Sequence, residues 1–169
     1  MANSAANVRV GAQGIIYHAP LLTALPTDTS TALNVAFVDV GYISEDGFSY
    51  TVDQASNDTR AWGGDLIRRI TNEFGLTMTF TMVEHNANSV AAFYGNGSAS
   101  AWEVKNVIVR KAWVAHITDG AKIRRIVVPD GEVTERGDVT FATADVVGYP
   151  ITVTAYPNAT GTYAFEYLT

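Results

Sequence analysis

Three histidines, His18, His85 and His116, are the side chains of this 169-residue chain best suited to moving protons or holding a metal near neutral pH. They fall on separate stretches without ligand spacing, so they predict neither a metal site nor a general acid-base pair. Glu84 and His85 are adjacent, but neighbours at a strand end point to opposite faces, which makes them two surface residues. Cysteine is absent, which removes thiolate nucleophiles, disulfides and thiolate metal sites. No Gly-X-Ser-X-Gly elbow is present. Gly95-Asn96-Gly97-Ser98 lacks the Lys-Ser/Thr of a phosphate loop and follows a helical stretch where that motif requires a strand. Ser44-Glu45-Asp46-Gly47 carries carboxylates without the alternating spacing of a calcium loop. The expectation is a protein that is not an enzyme and has no catalytic residues, metal or cofactor.

Charge narrows the partners. The chain carries 17 acidic and 11 basic side chains, a net charge of -6, so a phosphate backbone is repelled rather than gripped. Such a surface suits nucleic acid that must pass without sticking. The basic residues gather at Arg68-Arg69, Lys105, Arg110-Lys111 and Lys122-Arg124-Arg125. Alternation divides these between strand faces, so they form no continuous stripe, and pairing with a neighbouring subunit's carboxylates is as good a reading as solvent exposure. The N-terminal stretch has no basic segment followed by an apolar run, which reads as a soluble, non-secreted protein. Sequons at Asn57, Asn96 and Asn158 are then chance matches in turn-rich sequence.

The elements that must position any site are mostly strands. Leu76, Met78, Phe80 and Met82 alternate with Thr77, Thr79, Thr81 and Val83, giving a strand with one oily and one threonine-rich face. After Glu84 the period changes. Asn86 or Asn88 can cap a short helix, Val90, Phe93 and Tyr94 share its apolar side, and Gly95 supplies the stop. A helix of about two turns cannot stand alone in water and must lie on a sheet.

Other strands are expected at Gly14–Tyr17, Val35–Tyr42 and Leu66–Thr71, and from Val104 to Ile117, where Val107, Val109, Trp113, Ala115 and Ile117 share a face interrupted by Lys111. Asp119-Gly120 is a hairpin signal, and its return strand, Lys122–Val128, is expected to end at Pro129-Asp130-Gly131. Val139, Phe141 and Thr143, then Ile151, Val153 and Ala155, form two further alternating runs before Tyr163, Phe165 and Tyr167. At 47% hydrophobic residues, the chain can bury one core. The prediction is a mainly β protein, an antiparallel sandwich or barrel with one short flanking helix: an arm at 1–14, then a single domain at 15–169.

One segment resists that pattern. Residues 42–64 are too long for a turn, yet Tyr42, Phe48, Tyr50 and Trp62 argue against disorder. They predict a projecting loop or irregular hairpin that docks on another chain. A loop folded over its own core carries comparable weight.

Gly41-Tyr42-Ile43-Ser44-Glu45-Asp46-Gly47, Ala61-Trp62, the threonine strand, Glu84-x-Asn86 and Phe93-Tyr94-Gly95 together resemble the major tail protein of long-tailed bacteriophages. Val127-Val128-Pro129, Gly131-Glu132-Val133-Thr134 and Gly148 through Tyr156 are similar to that family's C-terminal half. The resemblance runs in order from about Gly11 to Pro157 and is closer to the non-contractile kind. It implies a tail-tube subunit of the virion tail: a β-sandwich or barrel assembling into six-fold rings that stack around a lumen carrying the genomic DNA. It further implies tape measure and tail terminator or tip proteins as partners, no membrane, and a long loop that bridges rings. The self-assembly residues on that loop would be Tyr42, Phe48, Tyr50 and Trp62. Two other readings stand beside it. One is the tube of a secretion or contractile injection system; the other is a monomeric carbohydrate-binding β-sandwich with Trp62 or Trp102 as stacking platform.

Overall fold

The computed structural model describes residues 3, 4 and 7–169, so part of the expected arm at 1–14 lies outside the described residues. Eight strands and one helix follow in the order β1 (Gln13–Ala19), β2 (Val38–Asp39), β3 (Ile43–Arg60), β4 (Leu66–Met82), α1 (Ala87–Phe93), β5 (Arg110–Asp119), β6 (Lys122–Arg136), β7 (Tyr149–Ala155) and β8 (Phe165–Leu168). All pairings are antiparallel. The protein is thus mainly β with a single short helix, as its alternating runs predict.

The sheet runs β2-β1-β5-β6-β7-β4-β3, and β8 adds a branch beside β6. β6 is the spine. Its first half lies between β5 and β8, and its second half joins β7, which in turn carries β4. The sheet curls until Met78, Phe80 and Met82 of β4 and Ile151 and Val153 of β7 meet Trp113, Ile126, Val128 and Ile16 in one core. The alternate residues of the β1, β5 and β6 region, Ala19, Ala112, Val114 and Val127, form a second cluster under Leu25, Leu33 and Phe37 of the connection before β2. Both sides of β5 are therefore buried, which is why Lys111-Ala112-Trp113-Val114-Ala115 contains only one charge.

Arg125 pins that connection. It lies buried in β6, where its guanidinium donates to the backbone carbonyls of Asp28 and Thr31 at 2.8 and 2.7 Å. A buried cation needs such acceptors, because desolvation without them costs several kcal/mol.

The helix follows its sequence signals. The Asn86 side chain accepts from the backbone N–H groups of Asn88 and Ser89 at 2.8 Å, and the Ser89 hydroxyl accepts from the Asn86 N–H, completing a capping box. Val90 and Phe93 are buried. Gly95 has φ +78° and lies so close to Val107 and Val109 that a Cβ would come within 2.8 Å of their methyl groups. Only glycine meets both requirements.

Four expected elements are corrected. Val35–Tyr42 is a strand only at Val38–Asp39. The Asn34 side chain accepts from the Ala36 N–H at 3.0 Å and its carbonyl from the Phe37 N–H at 2.9 Å, turning the chain and leaving Val35 exposed. Val104–Ile117 becomes strand only from Arg110, because upstream the Asn96 side chain bonds both the N–H and the carbonyl of Glu103 in place of a neighbouring strand. Residues 139–143 form no strand: both edges of β7 are already occupied by β6 and β4, so no sheet position is left beside it. Finally, β6 does not stop at Pro129 but continues to Arg136.

That last correction has a definite cause. Register passes from Trp113↔Val128 to Lys111↔Gly131, one more residue on β6 than on β5, so the Pro-Asp-Gly turn signal is spent on a bulge. Proline is tolerated there because a bulge frees it from donating to the ladder. Gly131 lets Trp113 seat: its carbonyl accepts from the indole Nε1–H at 3.1 Å, and a Cβ would meet Trp113 Cδ1 and Val153 Cγ1 at 2.8 Å. Replacing Gly131 by Ala should cost about 1–3 kcal/mol through overpacking, read as a lower urea midpoint with an unchanged m-value. An unchanged midpoint would contradict this packing.

Candidate functional site

The segment expected as a projecting loop or irregular hairpin is, from Ile43 to Arg60, one strand of a hairpin. β3 pairs with β4 continuously from Phe48↔Phe80 to Arg60↔Leu66, building a ribbon that leaves the core behind. Of the two forms expected for 42–64, a projecting loop or an irregular hairpin, the structure has the hairpin, whose far half projects, with Thr51 to Arg60 and, on β4, residues 66–71, Glu73 and Phe74 exposed. The separate expected strand at Leu66–Thr71 is the outer part of β4, continuous with the threonine strand.

The ribbon has two zones. At its base, Phe48 and Tyr50 are half-buried and pack on the core, with Phe48 6.4 Å from Phe80 between ring centroids. The Tyr50 hydroxyl donates to Glu166 at 3.3 Å, and Arg124 pairs with the same carboxylate. Here the alternative of a segment folded on its own core holds. Beyond Val52 the ribbon carries exposed Leu66, Ile67, Ile70 and Phe74. Past β7, which pairs only with residues 77–82 of β4, neither edge of the ribbon has a neighbouring strand among the described residues.

Two bulges shape the outer zone. Register steps from Ala55↔Glu73 to Ser56↔Thr71, and from Thr59↔Arg68 to Arg60↔Leu66, each adding a residue on β4. Each extra residue reverses the faces of the residues beyond it and deepens the twist. The first brings Arg69 opposite Asp58, where Nε and Nη2 donate to the two carboxylate oxygens at 2.7 and 3.1 Å. That guanidinium holds the Asp58 carboxyl below the usual range, but at the surface such a pair orients the ribbon more than it stabilises it. At the tip, Ala61 N–H donates to Asp65 O at 2.8 Å and Gly64 N–H to Ala61 O at 2.9 Å, presenting Trp62 fully exposed.

The four residues named from the sequence are not one patch. Trp62 is at the tip, Phe48 and Tyr50 are at the base, and Tyr42 is exposed at a separate corner where its N–H donates to Glu84 at 3.1 Å. Sequence reasoning missed Val52, Leu66, Ile67, Ile70 and Phe74. The sequence places a strand at Leu66–Thr71 and carries no signal that its apolar side chains stay exposed.

The other candidate groups are engaged within the chain. Arg69, Lys105, Arg110 and Arg124 pair with Asp58, Glu103, Asp130 and Glu166, neither awaiting a neighbour's carboxylate nor standing free. Trp102 stacks on Tyr94 at 5.5 Å, while Trp62 stands apart at the ribbon tip, so the two indoles build no common platform. The histidines are spread out. His85 bridges the Tyr149 hydroxyl and Ala99 O at 2.7 Å each, and His116 accepts from Arg125 at 3.3 Å. His18 is buried, with Nε2 on Asn88 O and Nδ1 on the Lys111 ammonium, both at 3.2 Å. Among the described residues, no cluster of three or more His, Cys, Asp or Glu side chains could hold a metal. Nor is any helix there long and apolar enough to cross a membrane.

These features define a class: a mainly β protein, built on one curled antiparallel sheet, that carries a projecting two-stranded ribbon. The chain belongs to the phage tail tube protein family, whose model matches residues 1–169. It is a tail-tube-related structural protein of the virion tail. The fold is similar to that in a cryo-EM structure of the tube-terminating cap of the anti-feeding prophage, with TM-score 0.52, 13% identity and 100% of both chains covered. No curated relative matches the sequence.

The His18–Lys111 pair gives a pH test. Burial, then the Lys111 charge, pushes His18 down from 6.5 to about 4, and burial pushes Lys111 down from 10.5 to about 8. Each folded value lies below its unfolded value, so the unfolded chain binds more protons in between and stability rises with pH across each window. The contribution of His18 is complete above about 6.5 and lost as pH falls through about 4. Relative to wild type, Lys111→Met should show a shallower rise, or a steeper fall, of melting temperature between pH 8 and 10.5. Parallel curves for the two proteins would contradict the burial of that ammonium.

Proposed function

We propose that copies of this chain close into hexameric rings and stack into the tube of a non-contractile phage tail, the conduit for DNA ejection into the host. The observation that carries this reading is the ribbon beyond Val52: two strands with free edges and exposed Leu66, Ile67, Ile70 and Phe74. Isolated two-stranded ribbons are marginal in water, and free edges template further pairing. A second copy supplies the missing cover at the lowest cost in new surface. A heterologous contact of this kind closes into rings and, repeated axially, into a tube.

In this reading the ribbon bridges successive rings, with Trp62 as its contact, Phe48 and Tyr50 anchoring its root, and Tyr42 offering a second contact from its separate exposed corner. Tape measure and tail terminator or tip proteins meet the tube inside and at its ends. DNA passes without specific binding, in keeping with the net charge of -6. Nucleic acid within native particles separates this reading from a protein-conducting tube of a secretion or contractile injection system.

Replacing residues 54–74 by a two-residue turn removes the projecting part of the ribbon and keeps the base that packs on the core. The variant should remain folded by circular dichroism, with its cooperative melt, and form no tubes by negative-stain microscopy at concentrations where wild type does. Tubes of normal length from this variant would refute the bridging role.

A further inference from the structure

Where the curled sheet fails to close, a groove of about 410 Å³ lies between β1 and the start of β3. β1 and β3 are not neighbours in any ladder, and β1 meets β2 only at Tyr17 and His18, so the edge of β1 at residues 13–15 faces the groove without a strand beside it. The groove is lined by apolar Ile16, Ile43, Phe48, Ala115 and Ile117. Its rim is acidic. Glu45 and Asp46 lie in the bulge between Ile43 and Phe48 with both side chains exposed.

The arm tip carries the apolar side chain and the positive charge that such a groove and rim would take. Trp62 is the largest fully exposed apolar side chain of the described residues, held on a turn closed by its own backbone hydrogen bonds. Arg60 and Arg68 are exposed close behind it; Arg60 Nη1 donates to Gly64 O at 3.1 Å and its Nη2 lies 3.6 Å from Asp58, a loose surface pair that leaves most of the guanidinium open. A buried indole flanked by arginines is the composition that dominates protein interfaces.

We propose that Trp62 at the arm tip of one copy seats in the β1–β3 groove of a second copy, with Arg60 and Arg68 facing Glu45 and Asp46. This rests on the tube reading and adds to it the receptor of the arm. The chain's own N-terminal segment is a poorer occupant: the Val10 N–H is tied to Asp119 on the β5–β6 hairpin at 3.0 Å. Apolar lining and acidic rim together favour the indole tip.

The absence of native cysteine allows a direct test. Gly63→Cys stands beside Trp62 with open space around its Cβ, and Gln13→Cys lies on the groove wall. Copies carrying one or the other, distinguished by a mass label, are co-assembled into tubes, oxidised and analysed by mass spectrometry. The expected product is the mixed Gly63→Cys to Gln13→Cys disulfide, lost when Trp62→Ala is added to the arm copy. Trp62→Ala alone should raise the concentration needed for assembly about tenfold or more. Arg60→Glu with Arg68→Glu should block assembly, and Glu45→Arg with Asp46→Arg on the same chain should restore it.

Tubes that form without the mixed disulfide would overturn this inference and leave the tube reading standing. So would a chain carrying both Gln13→Cys and Val8→Cys that, once assembled, forms the disulfide between those two positions, which would put the chain's own N-terminal segment in the groove. No polymer from the wild-type chain under any condition would sink the tube reading, and this inference with it.

Discussion

A strand pair that runs past the last neighbour of its sheet keeps only half of its backbone hydrogen-bonding groups engaged, and apart from the Phe74–Tyr163 ring contact near its root its apolar side chains lie open. That is the condition of β3 and β4 beyond Val52 and Leu76. Water can satisfy the free backbone groups, but it leaves Ile67, Ile70 and Phe74 as apolar surface whose removal from water is worth about 25 cal/mol per Å². A chain with a good core elsewhere has no need of such a ribbon for its own stability. Its cost is offset when another surface covers it, and in the proposed tube that surface is a second copy.

The core provides the rigidity from which the ribbon projects. β6 serves β5, β7 and β8 at once, and the bulge at Pro129 and Asp130 lets it change partners while Gly131 admits the Trp113 ring. Phe48 and Phe80 then fix the root of the ribbon against the same tryptophan, Phe80 lying 5.9 Å from it edge to face. Core packing and arm direction are thus coupled through one aromatic chain. On the other side of the sheet, Thr77, Thr79, Thr152 and Thr154 form a hydroxyl surface across β4 and β7, which gains little by burial and can stay wet.

Much of this was legible from residue order. The alternation of Leu76 to Met82, the Asn86 cap, the Gly95 stop and the Asp119-Gly120 hairpin are local signals with local causes, and each falls where its pattern places it. The illegible remainder depended on neighbours. Pro129-Asp130-Gly131 has the composition of a turn, and only the opposing Trp113 makes it a bulge. Residues 139–143 alternate like a strand but arrive when β7 has no edge left. The ribbon was legible only in part for the same reason. Glu45-Asp46-Gly47 and Gly63-Gly64 punctuate it like a loop, yet the first lies in a bulge and the second makes the tip. That residues 42–64 project was readable; that Phe48 and Tyr50 belong to the root and Trp62 to the tip was not.

The central claim is that the outer ribbon is completed only by another copy. Amide hydrogen exchange, followed by mass spectrometry on free subunits and on assembled tubes, reads this residue range by residue range. The account requires amides of residues 54–60 and 66–74 to exchange rapidly in the free subunit and slowly in the tube, while β5 and β6 remain protected in both. Equal exchange of the ribbon in the two states would contradict it.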